Sequence, residues 1–87
     1  MLNGLAKRNG VHDAADLQRF WRARGIQLPI NMLRRQMKMG IEVEYEHTFD
    51  RADSKRITLD HLVEIPDYYD RLRFMERQAE EEWGGIR

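Results

Sequence analysis

The chain has 87 residues, 41% of them hydrophobic and 34% charged, with equal numbers of acidic and basic side chains and no cysteine. A sequence this short makes one domain with a limited core, burying about 60% of the surface its unfolded form exposes. The lack of cysteine removes disulfides, thiolate metal sites, iron–sulfur clusters and cysteine nucleophiles at once, and no apolar run approaches the roughly 18 residues of a membrane span.

In chain order, Leu2–Arg8 suits a short helix closed by Asn9-Gly10, a left-handed cap. Met1–Lys7 is too short and polar to read as a signal peptide, so the expectation is a soluble, intracellular protein. Asp13 is an N-cap for a helix near residues 14–24, with Leu17, Phe20, Trp21 and Arg24 at helical spacing and Gly25 as its stop. Pro29 fits the first turn of the next helix, where its missing N–H costs nothing.

From there Ile30, Leu33, Met37, Ile41 and Tyr45 recur at three- and four-residue steps. Ile41-Glu42-Val43-Glu44-Tyr45-Glu46 also alternates in the manner of a strand. No second strand-like run offers hydrogen bonds to it, and Gly40 costs a helix only about 1 kcal/mol. Helix is the reading. Asp50 or Asp53 caps a helix over residues 51–64, and Pro66 ends it. A last helix begins at Pro66-Asp67, carries the stripe Tyr68, Leu72, Met75, Ala79 and Trp83, and stops at Gly84-Gly85. That stripe and Tyr68-Tyr69 read as core, with one tyrosine packed and its neighbour at the surface. The fold class is all-α, a small bundle of four to five helices in a single domain over residues 1–87.

The net charge of zero conceals two halves. Residues 1–40 hold eight Lys/Arg against two Asp, which is +6, and residues 41–87 hold seven bases against thirteen acids, which is −6. The basic helical part is residues 1–39 and the acidic part residues 40–87. Such a layout can hold the halves together, drive head-to-tail association, or present a basic face to an anionic partner. The candidate interaction surface is Arg19, Arg22, Arg34, Arg35 and Lys38, with Glu80-Glu81-Glu82 as its acidic counterpart. For nucleic acid, the connection Arg24–Pro29 is longer than a helix-turn-helix turn and no base-reading set appears. A non-specific phosphate-binding face is the weaker alternative.

Glu44 and His47 are i, i+3 neighbours on helical geometry, as are His61 and Glu64, while Asp60 and Glu64 are i, i+4. Facing Glu-x-x-His helices are an arrangement that bundle metal sites use, so Glu44, His47, Asp60, His61 and Glu64 form an alternative metal set for zinc, iron or manganese. The preferred reading is a carboxylate–imidazole hydrogen-bond network that fixes helix register. No catalytic set is recognisable, Ser54 being the sole serine, and no cofactor is expected.

Two blocks carry a resemblance: Gly-Ile-Glu-Val-Glu-Tyr-Glu-His-Thr-Phe-Asp (40–50) and the run from Arg56 to Leu72 containing Asp-His-Leu and Pro-Asp-Tyr-Tyr. They resemble a small domain family of unknown function common in tailed bacteriophages and prophages, with the pattern G-x-x-V-E-x-E-H-T, then I-A-x-D-H-L-x-E-x-P-x-Y-Y-x-x-L. Thr58 stands where that pattern has alanine, and residues 1–39 lie outside it. The resemblance implies a helical unit of phage or prophage origin and brings no established activity. The function expected is a non-enzymatic module that binds another protein. It would be a minor head or tail component of the virion or an anti-host-defence binder, in the host cytoplasm or the virion, with a homo-oligomer open.

Overall fold

The computed structural model describes residues 4–84, which form five helices and no strand. The first, α1 (Leu5–Arg8), is a single turn, too short to hold itself. Its exit is a Schellman motif: Gly10 takes φ 69°, Gly10 N–H donates to Lys7 O, and Val11 N–H donates to Ala6 O at 2.9 Å. Its entry is held from far away in sequence. The Asp60 carboxylate accepts from Gly4 N–H at 3.0 Å and Ala6 N–H at 2.8 Å. Residues 2 and 3 of the expected helix lie outside the described residues.

Helix α2 (Ala14–Arg22) starts where Asp13 accepts from Asp16 N–H, and Asp16 in turn accepts from His12 N–H. This reciprocal pair satisfies two amides that the helix itself leaves open. The helix ends two residues earlier than the sequence suggests, and Gly25 follows at φ 82°. Trp21 Nε1–H donates to Leu62 O at 3.0 Å, fastening α2 to the end of α4.

Helix α3 (Ile30–Thr48) runs unbroken through Gly40, so the strand-like alternation at 41–46 is helix, and Pro29 is its N-cap residue. Its buried line is Leu33, Gln36, Met37 and Gly40, rotated from the apolar stripe so that Tyr45 is 37% exposed. A glycine has no Cβ, and at position 40 this lets α4 (Arg51–Leu62) and α5 (Tyr68–Trp83) approach the α3 backbone closely. Thr58 of α4 faces that gap, buried with Ser54, Leu59 and Leu62 of the same helix. The α3–α4 turn is made by Phe49 at φ 58°, and Asp50 caps α4 by accepting from Asp53 N–H. Pro66 and Asp67 lie in the turn before α5 and not within it. Gly85, expected to help end α5, lies outside the described residues.

The core consists of Ala6, Val11, Leu17, Leu33, Met37, Leu59, Leu62, Val63 and Tyr69. One expectation fails. Of the stripe assigned to the core on α5, only its start packs: Tyr68 and Leu72 lie against the core, next to the buried Tyr69. Met75, Ala79 and Trp83 are exposed, as is every residue from Arg73 to Trp83. The helix outruns the body it begins on. The radius of gyration, 14.1 Å, exceeds the roughly 12 Å of a compact chain of this length, and the extents are 45 × 29 × 24 Å.

Candidate functional site

Three helices meet at one polar cluster. Tyr69 Oη, from the first turn of α5, donates to Glu44 Oε2 on α3 at 2.9 Å and lies 3.2 Å from His61 Nδ1 on α4. His61 Nδ1 is 3.4 Å from the same Glu44 oxygen and 3.0 Å from Ile57 O, one turn earlier on α4. Tyr68 stacks on the imidazole with ring centroids 4.3 Å apart and planes at 19°. Burial raises the Tyr69 hydroxyl well above the ordinary tyrosine range, and the Glu44 carboxylate adds to this, so the ring stays neutral and acts as a donor.

The cluster depends on its neighbours. Gln36 Oε1 accepts from Tyr69 N–H at 3.0 Å, giving the start of α5 an acceptor from α3. Among the described residues, Gln36 Nε2 finds no hydrogen-bond partner although it is buried. Beside it, Arg35 makes a two-pronged ion pair with Asp70 at 2.9 and 2.8 Å, and this guanidinium holds the Asp70 carboxyl below its usual range. Thr58 Oγ1–H donates to Ser54 O at 2.7 Å, which leaves the Thr58 methyl directed at Gly40.

Of the five residues of the alternative metal set, Glu44 and His61 come together. Asp60 is 2% exposed and spends its carboxylate on α1, with Arg56 3.8 Å away. His47 and Glu64 are exposed. Among the described residues, no group of three or more His, Cys, Asp or Glu is arranged to hold a metal ion. A shallow cavity of about 350 Å³ opens elsewhere, over Ala6, Val11 and Leu59, rimmed by Lys7, Lys55 and Arg56.

The basic residues divide in the same way. Arg19 is paired with Asp16 and Arg35 with Asp70, so both are committed within the chain. Arg22, Arg34 and Lys38 are exposed and have no ion pair among the described residues. What the sequence reading missed is the exposure of the outer half of α5, where Phe74 is 55%, Met75 56% and Trp83 66% exposed. Met75 and Trp83 continue the line of Leu72, and Phe74 lies on the other side of the helix. Periodicity marks such a stripe as apolar but does not say whether anything reaches it.

No helix among the described residues is long and apolar enough to cross a membrane. A family model described as a protein of unknown function (DUF5661) matches residues 6–78, and so takes in the basic part from residue 6 onward, which the two signature blocks leave out. No curated protein and no solved structure matches the chain.

Proposed function

We propose that this chain, which belongs to the DUF5661 family of unknown function, is a non-enzymatic protein-interaction module of phage or prophage origin. The observation that carries the reading is the outer half of α5. Eleven consecutive residues, Arg73 to Trp83, are exposed, and Phe74, Met75 and Trp83 hold large apolar side chains in water. Large apolar groups held in water on one projecting helix gain free energy when covered, and aromatic and methionine side chains are enriched where proteins bind one another. The buried polar cluster serves this role indirectly, since Glu44, His61 and Tyr69 fix the root of α5 to α3 and α4. The phage setting rests on the two signature blocks, and the role there is a minor virion component or an anti-host-defence binder.

Affinity capture with cross-linking from phage-infected cells tests this, comparing the native chain with Phe74→Ser/Met75→Ser/Trp83→Ser. None of the three is a core residue, so the variant keeps its circular dichroism spectrum and melting transition while losing its cross-linked partner. Equal capture by the two proteins refutes the assignment of the surface.

A further inference from the structure

Asp60 seats α1 on α4 through Gly4 N–H and Ala6 N–H, and a cavity of about 350 Å³ remains between the two helices. Ala6, Val11 and Leu59, all buried, form its floor, and Ala52 with the aliphatic stems of Lys7 and Lys55 forms its walls. Among the described residues, no carboxylate lines it. Arg56 at the rim is already engaged, 3.7 Å from Asp53 and 3.8 Å from Asp60. Asp16, which accepts from His12 N–H at the cavity's edge, is paired with Arg19. Lys7 and Lys55 are different. Neither has an ion pair among the described residues, and the residues one turn from Lys55 on α4 are Arg51, Ala52, Thr58 and Leu59, none of them acidic. Two ammonium groups from separate helices thus flank one apolar-floored space. The cavity beside the α4–α5 turn, over Leu28, Met32 and Ile65, lacks this feature, because its one base, Arg71, is paired with Asp67.

We propose that the α1–α4 cavity binds a small soluble organic anion, a carboxylate or phosphate head on an apolar body of short-chain or single-ring size. Ligand sites combine an apolar lining with a few convergent polar groups, and this cavity has the volume of a small one. The apolar body covers the floor and leaves water. The head accepts charge-assisted hydrogen bonds from Lys7 and Lys55, whose mutual repulsion the bound charge relieves. Eight lining residues offer far less than the roughly 800 Å² per partner of a protein interface, which selects a small molecule over a docked chain. The site is separate from α5 and does not depend on what covers that helix.

NMR titration of the backbone amides of the full chain with octanoate, octanol and octylamine tests this, since the three probes share an apolar body and differ in the charge of the head. Octanoate shifts the amides around Ala6–His12 and Ala52–Leu59 saturably and binds about tenfold or more tighter than octanol, with octylamine the weakest. Lys7 and Lys55 are exposed, so Lys7→Gln/Lys55→Gln keeps the melting transition of the native chain, brings octanoate down to the level of octanol and leaves octanol unchanged. Ala52→Phe, also at an exposed position, fills the mouth and abolishes binding of both. Phe74→Ser/Met75→Ser/Trp83→Ser binds octanoate as the native chain does, which separates this site from the α5 surface. The absence of a saturable shift, shifts centred elsewhere, equal binding of octanoate and octanol, or octanoate binding indifferent to the two lysines overturns the proposal. Flotation with phosphatidylglycerol vesicles that requires both lysines, without a saturable octanoate shift, assigns the cavity to a membrane surface and overturns it as well.

Discussion

Tyr69 fills the space that a side chain at position 40 would require. A Cβ on Gly40 would lie 2.5 Å from Tyr69 Cε2 and 2.4 Å from the Thr58 methyl, closer than carbon atoms approach without displacing one another. This one missing side chain is what allows α3, α4 and α5 to share a polar cluster. In an isolated helix, Gly40→Ala would gain about 1 kcal/mol. Here overpacking against two buried side chains costs about 1–3 kcal/mol, and the clash dominates. A lower urea midpoint than the native chain is expected, and an unchanged or higher one contradicts the close packing.

Tyr69→Phe keeps the ring and removes the hydroxyl that donates to Glu44. Hydrogen bonds to a charged acceptor contribute about 1.5–3 kcal/mol, and the variant should lose a comparable amount at neutral pH. The pH dependence carries a sign. Because burial raises the folded-state pKa of Tyr69 above its unfolded value, its contribution is complete below the ordinary tyrosine pKa of about 10 and is lost as pH rises beyond it. The native chain should therefore destabilise above about pH 10 more steeply than Tyr69→Phe does. Parallel curves from denaturant titrations would contradict this.

Asp60→Ala removes the acceptor for both Gly4 N–H and Ala6 N–H. A single helical turn is held otherwise only by the packing of Leu5, Ala6 and Val11, and the loss should be about 2–3 kcal/mol. Hydrogen exchange locates it: the Ala6 amide should lose protection while α3 amides keep theirs. Asp60→Asn retains one acceptor oxygen and should fall between the two. Equal protection of Ala6 in the native and alanine forms would show that packing alone holds α1.

Phe49 takes φ 58° with 76% of its surface exposed, its ring 6.4 Å from that of Tyr45. A left-handed backbone costs a residue with a side chain about 1–2 kcal/mol, and an exposed ring recovers little of this through burial. Phe49→Gly should therefore raise the stability by about 1 kcal/mol. A fall in the melting temperature would mean that the Tyr45 contact outweighs the backbone strain.

The sequence by itself determined the helices. Asp13 and Asp50 cap their own amides three residues on, Gly10 and Gly25 adopt the conformations that end helices, and Pro66 marks the break before α5. The unbroken i, i+4 stripe outweighed the alternation at 41–46, because a lone strand has nowhere to place its hydrogen bonds. Each of these effects acts within a turn or two of chain, so local residue chemistry reveals it. The sequence also brings Glu44 and His61 forward as partners, whereas the Tyr69 hydroxyl that lies between them carries no sequence signal of its own. Only the tertiary structure decided that Asp60 serves α1, more than 50 residues away, that Arg35 is committed to Asp70, and that the α5 stripe leaves the core after Leu72. Periodicity establishes that a helix has an apolar face. Whether that face is covered depends on the lengths and crossing of the other helices, and here the body ends before α5 does, which leaves Met75 and Trp83 in solvent.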